Sequence, residues 1–250
     1  MQPEQNRLYS VISWITTIPF LVCFIGTLVI FDPIHRLAYF FGSGLLRKSI
    51  VAMNSLILFW LRLWCGTRFT VQGLEHLKSV QQAIIVANHE SMFDIPLILW
   101  FLRRLSPQFI AKQELGKYLP SISFLLRNMG SLMINRSDQG GALASIRNYG
   151  IKSNENGQSV AIFPEGTRAR DGAMKRFKFG GMQVLIDTNK KAAVIPVTIS
   201  NSYRIVKHNL LPIPWRINVT MRVHPPLWSG SDPQQKVECN QIEAIIRSGK

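Results

Sequence analysis

Acidic residues are scarce in this chain: 14 Asp and Glu stand against 29 Lys and Arg, for a net charge of +15. So basic a balance predicts an anionic partner: nucleic acid, an acidic membrane surface or phosphorylated substrates. Charge of either sign is sparse overall, at 17% of residues against 47% hydrophobic, which excludes a disordered chain. Cysteine is nearly missing. Cys23, Cys65 and Cys239 lie far apart with no CxxC pair, which excludes a disulfide framework and a zinc site and fits a reducing compartment. No internal repeat, low-complexity segment or nucleic-acid-binding motif is visible. Nucleic-acid binding would explain the charge but not the apolar N-terminus.

The longest absence is local. Residues 8–31 contain no charged side chain, and this run is about the ~20 residues needed to cross a bilayer core. Pro19 and Gly26 would bend the helix, which membrane helices tolerate. A secretory signal fits poorly, because Glu4 accompanies Arg7 and no A-x-A cleavage site follows. After Asp32-Pro33 a second apolar zone, 37–64, carries Arg47, Lys48 and Arg62. It is too charged for a second span and reads as an amphipathic helix lying in the interface. Arg36, Arg47 and Lys48 follow the first run while Arg7 precedes it, so the bulk of the chain is expected on the cytoplasmic side of the inner membrane.

From residue 67 short units alternate. Strands are expected at 82–87, 159–163 and 193–199, with further candidates at 68–72, 108–111, 131–134 and 216–223. Helical patterns fall at 92–102, 122–129, 141–152, 181–189 and 236–247. The alternation argues for an α/β fold with a largely parallel central sheet flanked by helices. The expected organisation is a membrane-anchoring helical region, 1–66, followed by an α/β domain, 67–250.

Three polar breaks stand where strands give way to helices, the place such sheets put their sites. In Asn88-His89-Glu90-Ser91-Met92-Phe93-Asp94, His89 and Asp94 are five apart. A continuous helix would turn them roughly 140° away from each other, so they meet only if His89 sits on the turn and Asp94 on the first helical turn. A carboxylate holding Nδ1–H would leave Nε2 free to take a proton from a substrate hydroxyl. The alternative is a capping box, Ser91-x-x-Asp94, that merely ties down a helix start. The second break, Phe163-Pro164-Glu165-Gly166-Thr167-Arg168, is followed by Arg170, Lys175, Arg176 and Lys178 among glycines, a composition suited to phosphate. Its alternative is a surface turn in which Glu165 pairs with Arg168. The third is Gly130 to Arg136, GSLMINR, with Lys112 closing the strand segment upstream.

In one order, NHESMFD, Lys112 with Glu114-Leu115 and Pro120, GSLMINR, FPEGTRAR with FKFGG, and VIPVTI resemble the glycerolipid acyltransferase family, which includes the 1-acylglycerol-3-phosphate acyltransferases. The likeness covers about residues 67–223, and a hydrophobic N-terminal region is typical of bacterial members. The resemblance implies His89 as general base and Asp94 as its orienting carboxylate. The acceptor hydroxyl would attack the thioester of acyl-CoA or acyl carrier protein with no acyl-enzyme. Lys112, Arg136 and Arg168 would grip the phosphate of lysophosphatidate. Glu165, Gly166 and Thr167 would shape the acceptor pocket, and residues 194–197 would support the acyl side. It implies no metal, no cofactor beyond the acyl donor as co-substrate, and the phospholipid bilayer as partner. Two departures stand out: Ala169 where serine is usual, and Phe179 where a small or polar residue is usual and which is expected to narrow the entrance. Acylation of another lysolipid and non-catalytic binding of anionic membranes are the competing functions.

Overall fold

The computed structural model describes residues 3–117, 119–135, 138–228 and 237–250. Two long helices come first, α1 (Pro3–Phe40) and α2 (Ser43–Cys65). The α/β region follows with β1 (Arg68–Gln72), β2 (Ala83–Ala87), α3 (Asp94–Phe101), β3 (Gln108–Lys112), α4 (Ile122–Asn128) and β4 (Leu132–Ile134). It continues with α5 (Gln139–Glu155), β5 (Val160–Ile162), α6 (Phe179–Thr188), β6 (Ala193–Ser200), β7 (Asn218–Val223) and α7 (Cys239–Ser248).

The seven strands form one sheet in the order β1-β7-β6-β2-β5-β3-β4. Every pairing is parallel except β6 with β7, so the sheet is largely parallel, as the alternating pattern predicts. Strands covered on both faces read as unbroken apolar runs. AIIVA of β2 is such a run, buried at all five positions. Successive side chains of β2 go to opposite faces: Ile85 joins a core with α1, α2 and α3, while Ile84 and Val86 join a second core with α5, α6 and α7.

Residues 32–40 depart from expectation. The chain does not break at Asp32-Pro33, and α1 continues to Phe40 with Pro33 inside it. Proline removes one intrahelical hydrogen bond. Local ties offset the loss: Arg36 pairs with Asp32 at 2.8 Å, Asp32 Oδ1 accepts the N–H of Ser121, and His35 Nδ1 lies 2.6 Å from Ser121 Oγ. The chain turns instead at Gly42, whose φ of 117° suits glycine.

Helix α1 is apolar on two opposite faces. Ser13, Thr17, Phe20, Phe24 and Leu28 are buried against the rest of the chain. Their hydroxyls take part: Thr17 Oγ1 accepts the N–H of Ile213, and Ser13 Oγ accepts that of Trp215. The other face exposes Leu8, Val11, Ile15, Ile18, Val22, Ile25 and Val29, spaced three and four residues apart. A helix apolar all round needs apolar surroundings all round. Here protein supplies only one side. Helix α2 packs Met53, Ile57, Leu58, Leu61 and Cys65 into the same core and leaves Arg47, Lys48 and Arg62 exposed. Both helices have the length and composition to cross a membrane.

Candidate active site

The parallel strands deliver their following loops to one edge. Residues 88–93 leave β2, residues 163–178 leave β5, and Lys112 closes β3. His89 stands on the turn and Asp94 opens α3, the arrangement that spacing alone required. His89 Nδ1 lies 2.8 Å from Asp94 Oδ2; Asp94 is fully buried and the imidazole 15% exposed. An ionised carboxylate only accepts, so Nδ1 carries the proton and Nε2 is the basic nitrogen. The same Oδ2 accepts the N–H of Glu90 at 2.7 Å and of Ser91 at 2.9 Å. Ser91 Oγ accepts the N–H of Phe93. One carboxylate therefore makes both the helix-start contacts and the contact to His89. The imidazole also stacks on Phe163, with centroids 4.1 Å apart and planes within 17°.

Glu165 is buried, and its two oxygens accept the N–H groups of His89 at 2.7 Å and Lys175 at 2.8 Å. This overturns the surface-turn alternative, because no oxygen is left turned outward toward Arg168. Glu165 joins the two motifs and is not part of the cavity wall. Burial raises its pKa, and the two N–H donors oppose that shift. Glu90 is also fully buried and its pKa is likewise raised by burial, with Lys250 Nζ, 2.8 Å from Oε1, opposing.

A cavity of about 1040 Å³ opens beside His89. Its wall runs from His89 and Lys112, at one end of α3 and β3, to Arg103 and Gln108 at the other. Between them it is mostly apolar, with Phe24 and Leu28 of α1, Ile50 and Ile57 of α2, Leu99 of α3 and Leu125 of α4. Gly166, Thr167, Arg168, Arg170 and Lys175 line the end near His89. Gly166 holds φ at +71°, which a side chain would strain. Lys175 Nζ donates to Thr167 Oγ1 at 2.8 Å, fixing that hydroxyl on the rim. Lys112 Nζ reaches Glu114 at 3.1 Å, an exposed pair of the kind that holds little energy and leaves the ammonium open to a ligand.

Of the eight site residues expected from sequence, His89, Lys112, Gly166, Thr167 and Arg168 come together at this mouth; Asp94 and Glu165 stand behind it. Arg136 lies outside the described residues. Residues 194–197 lie inside the sheet: Ile195 and Val197 share a core with Phe24, Leu28, Ile57 and Phe93, which line the cavity, and Val194 joins the other core. One further expectation is corrected. Phe179 packs against the second core and does not narrow the entrance. Ala169 is fully buried with its N–H on the carbonyl of His89 at 2.7 Å, so the position is used through its backbone. Sequence reasoning missed Phe163 as the imidazole's stacking partner, although it opens the Phe-Pro-Glu-Gly motif. It also missed Ser202, whose hydroxyl lies 2.5 Å from Asp94 Oδ1 and which belongs to no motif. Among the described residues no group of three or more His, Cys, Asp or Glu side chains is placed to hold a metal ion.

Residues 68–200 match the Acyltransferase family model. The 1-acyl-sn-glycerol-3-phosphate acyltransferase of Borreliella burgdorferi is 31% identical over 72% of this chain and 69% of its own length. The chloroplast enzyme of that name from Arabidopsis thaliana, LPAT1, is also 31% identical over 72% of this chain, which spans 48% of it. The crystal structure of the 1-acyl-sn-glycerophosphate acyltransferase PlsC from Thermotoga maritima superposes with a TM-score of 0.69, covering 100% of this chain and 96% of that one at 24% identity, and so shares the fold. The matched segment holds the His89–Asp94 pair and the Glu165–Arg168 motif together, and on these grounds the chain belongs to the acyltransferase family.

Proposed function

We propose that this protein acylates lysophosphatidate at its sn-2 hydroxyl, using acyl-CoA or acyl carrier protein as donor, and so forms phosphatidate for phospholipid synthesis. The names of its relatives support this reading. The observation that carries it is the buried Asp94–His89 pair at one end of a long apolar cavity, with cations at the same mouth. The cavity suits an acyl chain, and Lys112, Arg168, Arg170 and Lys175 suit a phosphomonoester. In this mechanism Nε2 of His89 takes the proton as the acceptor oxygen attacks the thioester carbonyl carbon. Asp94 stabilises the imidazolium. The C–S bond breaks as the tetrahedral intermediate collapses, and the imidazolium returns its proton to the departing thiolate. No protein nucleophile is needed. General-base assistance supplies about 10²–10⁴-fold, and the remainder comes from holding both substrates in one geometry.

The membrane is part of this reading. The exposed stripe of α1 faces lipid while its opposite face packs on the cavity wall, so α1 lies along the bilayer surface with its outer face inserted, and the α/β region stays on the cytoplasmic side. The test is product formation from labelled acyl-CoA or acyl carrier protein with three acceptors: lysophosphatidate, lysophosphatidylcholine and monoacylglycerol. Phosphatidate formed in clear preference supports the proposal. Equal use of an acceptor without a phosphomonoester would replace it with another lysolipid.

A further inference from the structure

Strand β6 ends at Ser200 beside β2, and the next residue, Asn201, adopts a left-handed conformation with φ of 69°. That turn carries Ser202 back into the protein, where it is fully buried. The position is fixed from the His89 side. Asn88 Nδ2 donates to the carbonyl of Ile199 at 2.8 Å, and Asn88 Oδ1 accepts its N–H at 2.7 Å. An amide one residue before His89 thus sets how the end of β6 sits against Asp94.

A serine hydroxyl has one proton to give, and two buried carboxylates face this one. Asp94 Oδ1 is at 2.5 Å and Glu90 Oε2 at 3.4 Å, so the proton goes to Asp94. Glu90 is met elsewhere, by the N–H of Tyr203 at 3.2 Å and by Lys250 Nζ from beyond α7. Asp94 Oδ2 already accepts three donors. Oδ1 has Ser202 and, at 3.4 Å, Ser91 Oγ. We infer that Ser202 is a positioning residue for acyl transfer, holding Asp94 so that His89 keeps its angle to the cavity. The inference rests on His89 being the base.

Loss of the hydroxyl has two effects. A buried oxygen is left short of a donor, and the carboxylate swings toward what it can find. Its charge is also less dispersed beside the imidazole, which favours the imidazolium. The titratable and charged groups around His89 and Asp94 are Glu90 from their own loop, Glu165 from the loop after β5, and Lys250 behind Glu90.

The experiment compares Ser202→Ala, Ser202→Thr, His89→Ala and wild type as full chains in detergent micelles, reading kcat, acceptor KM, the pH profile of kcat and the thermal midpoint. For Ser202→Ala the expected kcat is about tenfold to hundredfold lower, as for loss of a hydrogen bond to a charged group. Its acceptor KM stays within about twofold, because the phosphate grip is untouched. The acidic limb of its profile moves to higher pH, and Ser202→Thr recovers activity above Ser202→Ala. Wild-type kcat with an unmoved limb in Ser202→Ala would overturn the assignment. So would a lower thermal midpoint with an unmoved limb, which would mark a purely structural role. Full turnover by His89→Ala would instead remove the base on which the inference rests, and that outcome is read from a different variant.

Discussion

Glu165 lies 76 residues beyond His89 in the chain and accepts its backbone N–H at 2.7 Å. The contact ties together two motifs that follow different strands. A carboxylate with one oxygen on the His89 turn and the other on Lys175 sets the distance between His89 and the cationic rim. Burying this carboxylate carries a desolvation cost that its two backbone N–H donors offset.

Replacing Glu165 by alanine leaves two backbone N–H groups without their acceptor. A buried donor left unmet costs about 1–3 kcal/mol, these part-buried ones fall toward the lower end, and a chain of this size loses roughly 2–4 °C per kcal/mol. A thermal midpoint roughly 5–10 °C lower is expected in detergent, together with lost acyl transfer. An unchanged midpoint would show that the loop is held by other contacts.

Arg168→Ala removes a cation from the mouth while leaving His89 and Asp94 in place. Acceptor KM is expected to rise about tenfold to hundredfold with kcat changed far less. Steady-state kinetics against lysophosphatidate checks this, and an unchanged KM would reassign the arginine.

Glu90 gives a pH prediction whose sign follows from its raised pKa. The folded state holds the proton more tightly than the unfolded chain, whose reference value is 4.5. The resulting stability is fully present below that value and is lost as pH rises through the higher folded value. The Glu90 contribution to the thermal midpoint should therefore fall between acidic and neutral pH, so that Glu90→Gln loses less, or gains more, than wild type over that range. An equally steep profile in the variant would place its origin in another group.

The two faces of α1 should respond differently to mutation. Serine at Ile15, Ile18, Val22 and Ile25 should weaken sedimentation with membranes and leave the thermal midpoint near wild type, because these side chains are exposed. Phe20→Ala should do the reverse, losing about 3–5 kcal/mol from a core in which Phe20 packs on Phe24 and Phe93. Deleting residues 1–66 removes core residues as well as the exposed stripe and should leave the rest insoluble. A folded soluble product would separate the anchor from the core.

These contrasts also mark what the sequence could and could not disclose. All seven strands stand where they were expected; the central ones, β2, β5 and β6, were the plainest, because strands buried on both faces carry their signal in composition. The His89–Asp94 meeting was legible because five residues admit it only across a strand-to-helix turn. Helix α1 was not legible in the same way. Uniform apolarity looks the same whether lipid surrounds a helix or lipid and protein share it, and Pro33 suggested an end that Asp32, Arg36 and Ser121 bridge. Glu165 was expected to shape the pocket, with a surface pairing to Arg168 as the alternative; it does neither, because its oxygens serve backbone N–H groups, which leave no mark in side-chain pattern. Ser202 was invisible for a related reason: its contact with Asp94 spans 108 residues and follows from how β6 ends.

The central claim is that His89 takes the acceptor's proton directly. The most direct measurement is the turnover of His89→Ala beside wild type in micelles, with labelled acyl thioester and lysophosphatidate and with folding checked by thermal midpoint. The account predicts a variant that melts like wild type and forms phosphatidate about 10²–10⁴-fold more slowly. A folded His89→Ala enzyme turning over at the wild-type rate would contradict it.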